Sequence, residues 1–251
     1  MKDVIIVTGA SGRIGSELVS HLAKQGYNLL ITDIKKKGLL NLKKKYSHLT
    51  RIEIFVGDLN ILTNINKLLF FAIQKYKKID GAVYCSYPRS KGYGKKFEDV
   101  KEHYLKQDLS HQLGSLILFC QKIINFFLKF KKGNLILISS IQGLSSPKFE
   151  HYKNTKMTSP IEYTVSKSAI ISITSYLSKY FRNKNLRINC VSPGGIEDNQ
   201  PKVFKKRYRN SCNNIGLLKT NNIVPTISFL LSEESKAING KNIVIDDGWS
   251  L

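Results

Sequence analysis

The sequence predicts an α/β fold: a doubly wound parallel sheet of about seven strands, in a single domain spanning residues 1–251. Three observations predict it. Short β-branched runs alternate with stretches of helical period, the order that strand–helix–strand units require. The first of these runs is followed at once by a glycine-rich turn that opens a helix. The chain's 251 residues also suit one α/β domain with a sizeable core better than two small ones.

Residues 4–8 read as the first strand. The helix after it carries Ile14, Leu18 and Leu22 at four-residue spacing, one face of a 3.6-residue period, and stops at Gly26. Strands two, three and four are expected at 28–33, 52–56 and 81–85. A long helical region, 97–130, leads to strand five at 134–139, and a helix over 161–181 leads to strand six at 186–191. A last helix near 223–231 precedes strand seven at 242–245. No repeat or low-complexity linker suggests a domain boundary.

Lysine and arginine outnumber aspartate and glutamate 40 to 18, a formal net charge of +22. Such a balance can mark a nucleic-acid, membrane-surface or anionic-substrate partner. The lysines fall in short runs (35–37, 43–45, 77–78, 95–96) and not in one aromatic-interleaved stripe, so a generally basic surface is expected and a nucleic-acid partner is not. The most apolar stretch, 113–130, is broken by Gln121, Lys122 and Asn125; it reads as a buried helix, with no membrane partner. Cys85, Cys120, Cys190 and Cys212 are scattered without a C-x-x-C pair or a Cys/His cluster. A reduced, cytoplasmic chain without a metal site is expected. The N-terminus enters a strand directly, without a basic segment and a long apolar one, so a signal peptide is not expected.

Thr8-Gly9-Ala10-Ser11-Gly12-Arg13-Ile14-Gly15 carries the first chemistry. Glycines at 9, 12 and 15 permit a tight turn, close approach of backbone to a pyrophosphate, and tight helix–strand packing. The free N–H groups of the helix start would meet the phosphates. Gly9, Ser11, Gly12, Arg13, Ile14 and Gly15 are therefore the expected cradle of a dinucleotide, which makes the fold a Rossmann fold. Asp33, 18 residues beyond Gly15, is placed to bond the adenosine ribose hydroxyls and repel a 2′-phosphate, favouring NAD over NADP. Lys35, Lys36 and Lys37 pull the other way. Asp58, with Leu59 beside it, could receive the adenine amino group or simply cap its loop.

Tyr163-Thr164-Val165-Ser166-Lys167 carries the second. Four residues make about one helical turn, so Tyr163 and Lys167 share a face. An ammonium there can stabilise a developing phenolate, lowering the phenol's pKa, and can also reach a nicotinamide ribose. Ser139 and Ser140 end the fifth strand, at the carboxyl edge where such folds bind ligands. Ser192-Pro193-Gly194-Gly195-Ile196 follows the sixth and can present backbone to a nicotinamide carboxamide, through Pro193, Gly194 and Ile196.

With these residues in place, the chain resembles the short-chain dehydrogenase/reductase family over nearly its whole length. The likeness is carried by T-G-A-S-G-R-I-G at 8–15, Asp33, Asp58, I-S-S-I-Q-G at 138–143, Y-T-V-S-K at 163–167, N-C-V-S-P-G at 189–194 and I-D-D-G-W at 245–249. It implies that Tyr163 is the general acid/base, Lys167 its activator and ribose ligand, and Ser140 the donor to the substrate oxygen. Several departures stand out. The middle glycine falls one place early, and Tyr84-Cys85-Ser86-Tyr87-Pro88-Arg89 replaces the usual Asn-Asn-Ala-Gly. Gln112 or His111 replaces a helix-borne asparagine. Ser140 and Tyr163 are 23 residues apart where the family commonly has about a dozen, and the added segment 144–160 holds Lys148, His151, Lys153 and Lys156. Y-P-R at 87–89, M-T-S-P-I-E-Y at 157–163, S-P-G-G-I-x-D-N-Q-P at 192–201 and the terminal D-D-G-W-S-L look like a bacterial subgroup associated with flagellin glycosylation and legionaminic-acid-type sugars.

The expected activity is NAD(P)-dependent interconversion of a secondary alcohol and a ketone by hydride transfer. The resemblance implies a sugar or nucleotide-sugar substrate in surface-glycan synthesis. The basic segment suggests an anionic one, and a homodimer or homotetramer is expected. Two rivals differ in class: a redox-neutral sugar epimerase or dehydratase, and a non-catalytic NAD-sensing or nucleic-acid-binding module.

Overall fold

The computed structural model describes residues 2–251. Its seven strands are β1 (Val4–Thr8), β2 (Asn28–Asp33), β3 (Ile52–Val56), β4 (Gly81–Tyr84), β5 (Gly133–Ile138), β6 (Leu186–Pro193) and β7 (Asn242–Ile245). They form one parallel sheet in the order β3-β2-β1-β4-β5-β6-β7. The order reverses between β1 and β4, which opens a crevice at their carboxyl ends, the place where such sheets bind ligands.

Alternation explains why the strand centres are mostly apolar. In β1, Val4 and Ile6 face one core layer while Ile5 and Val7 face the other. A parallel sheet covered on both faces leaves no solvated side to fill with polar residues. One face packs against α1 (Arg13–Lys24), α2 (Lys36–Tyr46) and α8 (Val224–Leu231) through Leu18, Leu22, Leu39, Ile227 and Leu230. The other packs against α3 (Leu62–Tyr76), α5 (Ser115–Phe130) and α6 (Ile161–Tyr180) through Leu68, Phe119, Ile123, Phe127 and Ile170.

The expected strands are all present, with shifts at their ends that matter for the site. β4 stops before Cys85, and β5 releases both Ser139 and Ser140 into the turn after it. β6 runs on through Ser192 and Pro193, which pair with β7. The expected helix over 97–130 starts later: a short turn at Phe97–Asp99 precedes α4 (Glu102–Leu109), which joins α5 through a π turn, Ser110–Gly114. The combined helix Glu102–Phe130 is long and apolar enough to cross a membrane. Its Phe119, Ile123 and Phe127 are nevertheless sealed against the sheet, as in a core helix. The last helix outside the sheet layers, α7 (Lys202–Arg209), lies beyond β6.

Candidate active site

Gly9 turns the chain out of β1 with φ +60°, a left-handed value that costs other residues strain. A Cβ there would lie 2.8 Å from the Cys85 carbonyl oxygen, and a Cβ on Gly15 would collide with the Gly9 carbonyl. The Gly12 N–H donates to the Gly9 carbonyl at 2.9 Å. No side chain caps the start of α1, so its first N–H groups point at the groove without a partner from a capping residue. This is the concave, donor-rich cradle that a dinucleotide pyrophosphate needs. The groove above it holds about 690 Å³ and is lined by Gly9, Ser11, Gly12, Arg13, Ile14, Gly15, Asp33, Asp58, Leu59 and Ile196. Gly9→Ala is expected to weaken dinucleotide binding by about tenfold or more through backbone strain and the Cys85 contact; titration of NADH fluorescence reads it.

Asp33 accepts from the Ser11 N–H at 3.0 Å through one carboxylate oxygen and from the Lys35 N–H at 3.0 Å through the other. Lys35 also lines the groove, whereas Lys36 and Lys37 do not. Asp58 caps its own loop, accepting from the Asn60 N–H at 2.9 Å, and also lines the groove. Arg13, at the lip, pairs with Asp198 of the loop after β6.

A second cavity of about 470 Å³ adjoins the groove and shares Arg13, Ile14, Cys85, Tyr87 and Ile196 with it. It gathers Ser140, Tyr163, Lys167, Pro193 and Gly194, residues far apart in sequence. The two serines separate cleanly. Ser139 donates its hydroxyl to the Lys167 carbonyl at 2.6 Å and so ties the end of β5 to α6. Ser140 lies beside the Tyr163 phenol. Gly143 completes the turn pressed against α6, where a Cβ would lie 2.7 Å from the Lys167 carbonyl oxygen.

The expected lowering of the Tyr163 pKa is not what this geometry gives. Burial of the phenol pushes it up, and the Ser140 hydroxyl offsets only part of the rise. The Lys167 ammonium donates to the Ile138 carbonyl at 2.9 Å and lies 5.6 Å from the Tyr163 ring centroid. Burial draws Lys167 itself down to about 8.

Of the two candidates on the long helix, Gln112 is the buried one. Its amide donates to the Pro88 carbonyl at 3.1 Å and accepts from Ser166 at 2.7 Å. His111 lines the dinucleotide groove instead. Both lie in the π turn, an irregularity often found beside functional sites.

The segment 144–160 lines the second cavity, but not with its lysines. Lys148 donates to the Trp249 carbonyl at 3.0 Å and lies over that indole, while Lys153 and Lys156 are exposed. What it contributes is neutral: His151, Tyr152, Met157, Thr158 and Ser159. His151 is buried and bonded to the Ser211 hydroxyl at 2.9 Å. Sequence reasoning missed Tyr87, Gln142, Gln200, Phe204, Tyr208 and Trp249 as lining residues. Only Phe204 and Tyr208 carried a signal, the four-residue spacing of a helix face.

A parallel sheet with a glycine cradle at its switch point, opening onto a buried serine and lysine and a half-buried tyrosine, defines an NAD(P)-dependent oxidoreductase. The family model described as enoyl-(acyl carrier protein) reductase matches residues 9–250. The chain is 38% identical over 251 residues to post-translational flagellin modification protein A of Campylobacter coli, covering 99% of this chain and 98% of that one. It is 23% identical to 7alpha-hydroxysteroid dehydrogenase of Bacteroides fragilis, over 99% and 94% of the two chains. Its fold matches a short-chain dehydrogenase from Leptospira borgpetersenii with bound NAD+, with a TM-score of 0.86, 24% identity and coverage of 100% and 94%. It also matches an NAD+-bound xylitol dehydrogenase, with a TM-score of 0.87, 19% identity and coverage of 98% of each chain. The protein belongs to the short-chain dehydrogenase/reductase family.

Proposed function

We propose that the protein interconverts a secondary alcohol and its ketone, with Tyr163 moving the proton, Ser140 orienting the substrate oxygen and Lys167 supporting the phenol's charge. The observation that carries this is the meeting of all three in one cavity that opens onto the glycine cradle. The dinucleotide supplies or accepts the hydride when bound. Gly9, Ser11, Gly12, Arg13, Ile14 and Gly15 would hold its pyrophosphate, Asp58 and Leu59 its adenine, and Lys167, Pro193, Gly194 and Ile196 its nicotinamide end. Substrate and dinucleotide filling the cavity would displace water from the phenol and so strengthen each charge interaction around the reacting oxygen.

NAD is the favoured cofactor, because both oxygens of the Asp33 carboxylate are fixed by backbone at the groove wall where a 2′-phosphate would lie. Asp33→Ser removes the repulsion and leaves Lys35 in place. It is expected to shift the NADP/NAD ratio of kcat/KM toward NADP by at least about tenfold. An unchanged ratio would show that Asp33 does not discriminate.

The favoured substrate is a sugar or nucleotide-sugar of bacterial surface-glycan synthesis. The relative named for flagellin modification supports this, as do the neutral hydrogen-bonding groups of Gln142, Thr158, Ser159 and Gln200 set among Tyr152, Phe204 and Trp249. Any anionic portion would reach the rim, since Arg13 and Lys167 are the only lysine or arginine side chains lining the cavity among the described residues. A cytoplasmic homodimer or homotetramer fits the apolar groups left on α5 and α6, with Ile117 51% and Tyr180 68% exposed; light scattering reads this.

The activity test follows NADH absorbance with NAD+ and NADP+ against free, phosphorylated and nucleotide-linked sugars. A signal with one sugar, lost in Tyr163→Phe, is expected. Silence across the panel despite dinucleotide binding would overturn the sugar assignment.

A further inference from the structure

Lys167 is a buried ammonium without a counter-ion. It joins none of the ion pairs among the described residues. From the sheet, the titratable groups facing it are the thiols of Cys85, after β4, and Cys190, in β6. From its own helix it meets Tyr163, and from β5 the Ile138 carbonyl. The remaining wall is Tyr87, whose ring centroid lies 4.6 Å from Nζ. The Tyr87 ring also meets the Tyr163 ring at 5.5 Å and 87°. Its hydroxyl is 2.9 Å from the hydroxyl of Tyr93, whose ring crosses it at 82°. One aromatic ring therefore touches both members of the pair and is itself held by a third residue.

We propose that Tyr87 is a positioning residue of the active site: its ring takes the place of a counter-ion for Lys167, and its contact with Tyr163 fixes the phenol beside the same ammonium. This rests on the reading of Tyr163 and Lys167 as the proton-transfer pair. A ring face attracts a desolvated ammonium through its quadrupole. A carboxylate in the same place would pin Lys167 in a salt bridge and titrate itself, whereas a ring offers attraction without either effect. Tyr87 stands in the segment where the resemblance places Asn-Asn-Ala-Gly, none of which carries an aromatic ring.

The test follows the Lys167 Nζ resonance of full-length, lysine-labelled protein as pH is raised, with Lys167→Met for assignment. In the wild type the midpoint is expected near 8. Tyr87→Leu is expected to lower it by about one pH unit, a tenfold loss of proton affinity. Tyr87→Phe, which keeps the ring, is expected to hold it within about 0.3 of the wild type. Tyr87→Met serves in place of the leucine variant if that one does not fold. An unchanged midpoint without the ring would overturn the proposal. An equal fall in Tyr87→Phe would also overturn it, because the effect would then belong to the hydroxyl pair with Tyr93. The titration requires no turnover, so its outcome is separate from the Tyr163→Phe test of hydride transfer.

Discussion

Tyr163→Phe is expected to reduce turnover by about 10³-fold while leaving dinucleotide affinity within about twofold. On the proposed mechanism, the phenol hydroxyl gives or takes the proton at an oxygen held by Ser140, which lies beside it in the cavity. Its removal deletes that proton path and changes little else. The ring stays, so the edge contact with Tyr87 persists, and the cradle at Gly9, Gly12 and Gly15 is untouched. The loss should appear in kcat and kcat/KM together, as for an interaction made in the transition state. Equal loss of NADH binding would instead mean that the substitution had damaged the groove. Turnover unchanged from wild type would remove Tyr163 from the chemistry.

The residues of this argument differ in how openly the sequence displays them. The glycine cradle and the Tyr163–Lys167 pair were legible because each is local: a turn that must bend within eight residues, and two side chains one helical turn apart. The strands were legible because both faces of a parallel sheet are buried, which writes short runs dominated by apolar residues. Helix α7, in contrast, buries only Phe204 and Tyr208 among cationic neighbours, and α2 buries only Leu39 and Tyr46. Two apolar positions in so much charge leave little periodicity to read. The role of Ser139 as a tie to α6, the turning of Lys148 onto Trp249 and the placing of Tyr87 over Lys167 all depend on contacts across the fold. No spacing rule reaches them. The expected lowering of the Tyr163 pKa failed for a related reason. Spacing puts a lysine near the phenol, but burial acts on both, raising the phenol and lowering the ammonium, and only the packed structure shows how deeply each is set.

Lys167→Met is expected to abolish measurable turnover and, at the same time, to stabilise the protein at pH 7. The ammonium is drawn from 10.5 down to about 8 by burial. Keeping it charged in the native state at neutral pH therefore costs on the order of 3 kcal/mol relative to the unfolded chain. Methionine fills the same space without a charge, and leaves the Ile138 carbonyl unpaired at a cost of about 1 kcal/mol. The net gain of about 2 kcal/mol should raise Tm by roughly 4–8 °C for a domain of this size. The sign can be checked against pH. Below about 8 the lysine is charged in both native and unfolded states, so the wild type bears the full penalty and the variant its full advantage. Between 8 and 10.5 the native lysine gives up its proton while the unfolded one keeps it, so wild-type stability rises with pH and the two melting curves converge. Melting temperatures of both proteins from pH 7 to 10.5 read this directly. A variant less stable than wild type at pH 7 would mean that the ring of Tyr87 and the Ile138 carbonyl already compensate the buried charge in full. A difference that did not narrow with pH would mean that Lys167 does not titrate in that range.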